Sequence, residues 1–351
     1  MKNIIKIIFF NTIILFTLVL VSELFFGYWF DKYDFGIDMR GKRIEKNIYE
    51  YDNKKILYTR DFFGFRSNGD ISNKYDPSKI KIIFTGGSTG DEQILNYRDT
   101  IVGQLNNKLK NNNINTKIYN ASLSGKSLKG HVNEFPKWFS KIPNFKPSII
   151  IYYFGINDRK IQKNRFEDYE INLNKKKKLL YLISQKSFFW ERFKIIKNKY
   201  FSKKINMDQY FTKNEILSMK LKNNEFTSYE NAKMIYGIPN KSEKKIIENY
   251  KNNLKKLNLQ IKAWNIKPIF ITQITYNING NKILFLLNAE LKKFAKEHNY
   301  PIIKLDELIL QPLNNSFVDE THTNEKGSSE IAKILFPLLK DEILKKLNVT
   351  N

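Results

Sequence analysis

The chain has 351 residues, 42% of them hydrophobic, and a formal charge of +25, which provides for a substantial core and excludes a disordered chain. It has no cysteine, so disulfides, thiolate metal sites and a thiol nucleophile are ruled out. The charge would suit an acidic partner, but lysine and asparagine are spread along the whole chain, and with no zinc-finger spacing or aromatic RNA-binding signature no nucleic-acid partner is expected.

Residues 4–30 read "IIKIIFFNTIILFTLVLVSELFFGYWF", with only Lys6 and Glu23 charged. At about 1.5 Å per residue such a helix crosses a bilayer. Lys2 and Lys6 precede the run, and Tyr28 and Trp29 come after it, where an aromatic belt would sit. The small-x-small pattern of a cleaved signal peptide is missing. The expectation is a single-pass transmembrane anchor over residues 4–30. Lys32, Arg40, Lys42, Arg43 and Lys46 outnumber the two lysines before the span, which argues against export of the C-terminal part. Large domains translocate despite such flanking charge, and the remainder is expected outside the cytoplasm.

Residues 31–78 read as a polar connector with a short aromatic element, "YTRDFFGFRSNG". Apolar, β-rich runs then recur at Ile80–Thr85, Lys117–Asn120, Ser148–Phe154, Lys267–Thr272 and Pro301–Leu305. Helical patterns lie between them, at Ile101–Leu109, Lys244–Trp264 and Leu284–His298. This alternation predicts an α/β domain over residues 79–347, with a mostly parallel sheet of about five strands covered on both faces. Its ligand site would lie at the carboxyl ends of the strands. Residues 159–242 break the alternation and read as a mostly helical insertion between the third and fourth strands. The lysine run Lys175–Lys178 inside it reads as a solvated face, with a basic rim over the site or contact with a membrane surface as the functional alternatives.

Three strand ends and one C-terminal segment carry residues suited to acyl transfer. "FTGGST" presents Ser88 after a glycine pair, "YNASLSG" holds Asn120 and Gly125, "YYFGIND" holds Asn157 and Asp158, and "FVDETHTNEKG" holds Asp319 and His322. A serine hydroxyl is a weak nucleophile until an imidazole takes its proton. The imidazole must be held by a carboxylate, and donors must await the oxyanion. Asp319 and His322 are three apart and would share a face of one helical turn. A phosphate loop is disfavoured because "GGSTGD" has no Walker lysine. Of the other two histidines, His298 is expected to end a helix. His131 is expected to open a helix or face solvent, and stands next in line as base.

Taken in order, "GGST", "NASLSG", "GIND" and "DETH" resemble the four blocks of the SGNH/GDSL hydrolases over roughly residues 80–340. The resemblance implies a three-layer α/β/α sandwich, Ser88 as nucleophile, His322 as general base and Asp319 as the acid that orients it. The oxyanion hole would be the Ser88 backbone N–H with Gly125 and Asn157, and no metal or organic cofactor would be needed. Two departures stand out. The family's aspartate before the serine is Gly87 here, so its support would come from elsewhere, with Asp91 and Glu92 as candidates; and the insertion after "GIND" is long. The implied activity is a serine-dependent esterase acting on acyl groups, acetyl above all, of an envelope or surface glycan through an acyl-enzyme. An O-acyltransferase on the same glycan, a lipid esterase or thioesterase, and a non-catalytic glycan-binding or assembly component are the alternatives.

Overall fold

The computed structural model describes residues 2–30, 43–72, 74–161, 165, 167–170, 174–208 and 227–347. Helix α1 (Lys2–Phe26) opens the chain. Its stretch Asn3–Phe26 is long and apolar enough to cross a membrane and is not buried against the protein, a length and composition shared by membrane spans and signal sequences.

Strands β1 (Glu45–Tyr51) and β2 (Lys54–Arg60) form a hairpin in which Tyr51 pairs with Lys54. Its two-residue turn, Asp52 and Asn53, has φ of 48° and 58°. Two successive left-handed residues match the twist of antiparallel strands, and Asp and Asn tolerate that conformation well. Strand β3 (Arg66–Ser67) pairs antiparallel with β2 and, through Arg66 and Asn120, with β5.

The α/β part continues as β4 (Ile82–Gly86), α2 (Ser88–Asp91), α3 (Ile101–Asn111), β5 (Ile118–Asn120), α4 (Leu128–Lys137) and β6 (Ile149–Tyr153). The long insertion contributes α5 (Lys175–Lys186), α6 (Phe188–Tyr200), β7 (Lys203–Asn206) and α7 (Tyr229–Ile235). Then come α8 (Lys241–Ala263), β8 (Lys267–Ile271), α9 (Lys282–Glu297), β9 (Ile302–Ile303), α10 (Leu305–Leu308) and α11 (Glu325–Leu347).

One sheet takes up all these strands, in the order β7-β1-β2-β3-β5-β4-β6-β8-β9. The five runs read from the sequence are its parallel half, β5-β4-β6-β8-β9. The expectation of about five strands is corrected to nine among the described residues, and the sheet is mixed. Strands β1–β3 come from the stretch read as a connector, and β7 from the insertion pairs parallel with β1.

Side chains along the parallel strands alternate between two cores. Ile82, Phe84, Ile149 and Ile151 pack with Val102 and Leu105 of α3 and Ile331 and Leu335 of α11. Ile83, Ile150, Tyr152 and Phe270 pack with Phe135 of α4, Leu254 and Leu257 of α8, and Leu287 and Leu291 of α9. Each such side chain, when fully buried, contributes about 1.5–3 kcal/mol. Burial on both faces is why these strands read as unbroken apolar runs. A third, smaller cluster of Tyr49, Ile56, Tyr58, Ile94 and Met207 fastens the β1–β2 hairpin and β7 beside the end of β4.

Candidate active site

Strand β4 ends at Gly86, and the chain turns at Gly87 into α2, whose first residue is Ser88. A Cβ at position 87 would displace the side-chain amide of Asn157 and come within 3.3 Å of the Lys126 carbonyl. The glycine that stands where the resembled pattern has an aspartate leaves the Asn157 amide undisturbed. Ser88 is partly exposed at the mouth of the sheet.

His322 lies in the loop between α10 and α11. The expected helical turn over residues 319–322 is not formed; those residues are bends closed by a bridge between Phe317 and Thr323. One Asp319 oxygen accepts the N–H groups of Thr321 and His322, both at 2.7 Å, and this local bonding replaces the helical ladder. The other Asp319 oxygen faces His322 Nδ1 at 2.6 Å. The Thr321 hydroxyl is 3.1 Å from the same nitrogen. Burial pulls the Asp319 carboxyl upward, but the hydrogen bond and charge of His322, with the two N–H donors, outweigh it and hold the group below its ordinary value. A carboxylate at Nδ1 selects the tautomer with the proton on that nitrogen, which leaves Nε2 as the acceptor a general base needs.

Ser88, His322 and Gly125 line one cavity of about 470 Å³, with Ser124 and Gln93. Gly125 has φ of +82°, a left-handed conformation that favours glycine. Asn157 lies beside Gly87 rather than in the cavity lining. Its Nδ2 donates to the Lys126 carbonyl at 3.0 Å, and an NH₂ group retains a second hydrogen for another acceptor. The "GIND" loop is pinned from behind: Gln273 Oε1 accepts the Ile156 N–H at 2.6 Å, and Asp158 accepts the Leu128 N–H at 3.1 Å. Burial pushes the Asp158 carboxyl up to about 8, against the pull of the Leu128 N–H and with the help of nearby Asp168.

Asp91 and Glu92, suggested by the sequence as support for the serine, reach away from it in two directions. Asp91 is fully buried, pairs with Arg60 at 2.7 Å, accepts the Tyr58 hydroxyl at 3.1 Å and accepts the Ser124 N–H at 3.2 Å. It thus ties the loop that carries Gly125 to α2. Glu92 accepts the Ile101 N–H at 2.7 Å and the hydroxyls of Thr323, at 3.2 Å, and Ser328. It ties the loop that carries His322 to the same turn. Burial pushes the Glu92 carboxyl up to about 7, against the pull of its donors and of Arg66. Arg66 reinforces the corner by donating to the carbonyls of Asp91, Glu92 and Leu95.

Residues that do not stand out in the sequence complete the cavity. Tyr49 of β1, Ile205 of β7, Met207 and Ile94 form an apolar wall, and Tyr49 and Ile205 are register partners. The arginines at 60 and 66 are visible as charges inside an aromatic stretch, a pattern that marks buried ion pairs or hydrogen-bond anchors.

Of the other histidines, His298 caps the C-terminus of α9, as expected. His131 does not face solvent. It is buried in α4 beside Thr85 and Glu134, and burial followed by the Lys126 charge lowers its pKa. Next to it Lys126 and Glu134 form a buried ion pair of 2.6 Å. Among the described residues no cluster of side chains suited to a metal ion is found.

No protein-family model matches the chain, and no curated protein matches it either. Among solved structures it is similar to an acetyl xylan esterase, at 13% identity and a TM-score of 0.41 over 74% of this chain and 100% of that one. It is also similar to a lipase/acylhydrolase from Enterococcus faecalis, at 12% identity and a TM-score of 0.44 over 75% and 96%. A member of the lipolytic G-D-S-L family from Veillonella parvula aligns at 14% identity and a TM-score of 0.41 over 74% and 98%. All three scores lie below 0.5, and the chemistry open to the site is a matter of its own side chains.

Proposed function

We propose that this protein is a serine-dependent esterase that removes acyl groups, acetyl among them, from an envelope or surface glycan while α1 holds it at the membrane. The observation that carries the reading is the Asp319 carboxylate 2.6 Å from His322 Nδ1, with the ring edge, Ser88 and Gly125 on one cavity. In the cycle, His322 Nε2 takes the Ser88 proton as Oγ attacks the ester carbonyl. The oxyanion is received by the N–H groups of Ser88 and Gly125 and by the Asn157 amide. His322 returns the proton to the leaving alcohol, then takes one from water as its oxygen attacks the acyl carbon, and hands that proton to Ser88 Oγ as the acyl group departs as the free acid. In this reading the catalytic domain lies outside the cytoplasm, where such glycans are found; reporter fusions after residue 60 test this, and activity of a cytoplasm-only reporter would overturn it.

The decisive experiment is labelling with a fluorophosphonate, together with hydrolysis of p-nitrophenyl acetate. Ser88 is expected to carry the label, and Ser88→Ala to lose both labelling and turnover. A parent protein that takes no label and a variant that matches it on every ester would overturn the reading.

One observation favours a second substrate. The wall of Tyr49, Ile94, Ile205 and Met207 is apolar and suits an acyl chain longer than acetyl. A higher kcat/KM for p-nitrophenyl octanoate than for the acetate would favour a lipid-like ester.

A further inference from the structure

Helices α5 and α6 leave more apolar surface in the open than the fold requires. On α6, Phe189, Phe193, Ile196 and Tyr200 are spaced at intervals of four, three and four residues, which places them on one face. All four are exposed, Phe193 by 57% and Ile196 by 53%. On α5, Leu179 and Leu180 are exposed by 59% and 57%, with Ile183 one turn beyond Leu179. Single exposed apolar side chains are ordinary; contiguous ones mark a contact surface.

Charge and position say what that contact is. Between residues 175 and 200 the sequence has nine lysines and arginines and one acid, Glu191. Glu191 is buried, accepts the Tyr28 hydroxyl at 3.1 Å and pairs with Lys74, so the charges facing outward have one sign. The hairpin is also fastened to the end of α1. Glu23 accepts the Ser187 hydroxyl at 2.5 Å and the N–H groups of Phe188 and Phe189 at 2.9 and 3.2 Å, capping the first turn of α6. The rings of Phe26 and Phe188 lie 5.4 Å apart, and the Tyr28 N–H donates to the Lys186 carbonyl at 2.8 Å. A cleft of about 240 Å³ opens beside Trp190, Phe193, Lys194 and Lys197, where apolar and cationic groups alternate.

We propose that the α5–α6 hairpin is a bilayer-contact platform, lying in the surface of an anionic phospholipid membrane beside α1. The Phe189, Phe193 and Ile196 row enters the boundary between headgroups and acyl chains, and the lysines meet the headgroup phosphates. A protein partner would account for an apolar row; it is the row's attachment to the end of a span-length apolar helix, together with the one-signed charge, that selects a lipid surface. The inference rests on α1 remaining attached as an anchor.

The absence of native cysteine makes the test direct. The full chain is prepared with one cysteine, at Phe193, at Phe16 in α1 or at Leu259 on α8, labelled with bimane and reconstituted into phosphatidylcholine vesicles with and without phosphatidylglycerol. Lipids with brominated acyl chains serve as quenchers. Quenching at position 193 is expected to be several-fold stronger than at 259, and to weaken when phosphatidylglycerol is left out or salt is raised. Ile196→Cys repeats the measurement should Phe193→Cys fold poorly. Quenching at position 16 without quenching at 193 or 196 overturns the platform and leaves the anchor standing; quenching at none of them overturns both. Crosslinking between copies at position 193, without quenching, assigns the face to a second copy and also overturns the proposal.

Discussion

Glu92 offers a prediction in which the sign and the size both come from its surroundings. The residue is buried, its carboxyl is pushed from an ordinary 4.5 up to about 7, and it holds the His322 loop to the Ser88 turn. Between these two values the folded protein keeps a proton on Glu92 that the unfolded chain has lost, so raising the pH favours the unfolded chain. Stability falls by about 1.4 kcal/mol for each step of one pH across that window, about 3 kcal/mol in all. Below 4.5 the contribution is fully present, and above 7 it is gone. Glu92→Gln removes the titration but keeps the shape. Its carbonyl can accept the Ile101 N–H, and its NH₂ can donate to the Thr323 and Ser328 hydroxyls, which are free to accept.

The assay is urea unfolding of the parent and variant full chains in detergent, monitored by tryptophan fluorescence at pH values from about 4 to about 9. The other raised carboxyls, Glu45, Asp61 and Asp158, titrate in both proteins and cancel in the difference. The difference is expected to be small at the acid end, to rise in favour of glutamine by about 3 kcal/mol through the window, and to level off above it. Parallel curves for the two proteins at every pH would refute the assignment of a protonated Glu92 and the burial argument behind it.

Asp319→Asn presents an amide to His322 Nδ1 and releases the tautomer that leaves Nε2 free. kcat on p-nitrophenyl acetate is expected to fall by about 10³ to 10⁴, with fluorophosphonate labelling slowed in parallel, and an unchanged rate would remove Asp319 from the mechanism. Gly87→Ala drives a methyl group into the Asn157 amide, so it and Asn157→Ala are each expected to lower kcat by about 10² to 10³. Because both act on one group, the double variant should be no worse than either alone, and steady-state kinetics on the three proteins would expose an additive loss. Lys126→Met leaves Glu134 buried without its cation, with only Thr85 and His131 beside it, and is expected to cost about 3–5 kcal/mol in urea unfolding. Adding Glu134→Leu should restore most of that stability; if it does not, the loss lies in packing rather than in the stranded charge.

The parallel half of the sheet was legible because its strands are buried on both faces. "IIF" and "IIIYY" admit few other readings. The other half was not, because strands such as "EKNIYEY" and "KKIN" are half-exposed and carry too little apolar alternation to stand out from a loop. Their burial depends on Tyr49, Ile56 and Met207 meeting across the fold, a contact no local window contains. The candidate site residues at the strand ends are marked by glycine-rich turns, which the geometry of parallel sheets makes informative. Asp319 and His322 meet through an aspartate-closed bend rather than the helical turn expected, since a spacing of three suits both. Nothing local in the sequence pairs Glu92 with Ser328, as that bond joins distant segments.

The short junction between α6 and β7 has a mechanical consequence. Only Phe201 and Ser202 separate the two elements, and two residues span at most about 7 Å even when extended. With so little slack, a roll or tilt of the helix would pull on Ile205 and Met207 against the pairing that holds β7 to β1. The far side of the cavity that Ser88 and His322 line is thus tied by a short, taut junction to the helix that bears the aromatic row.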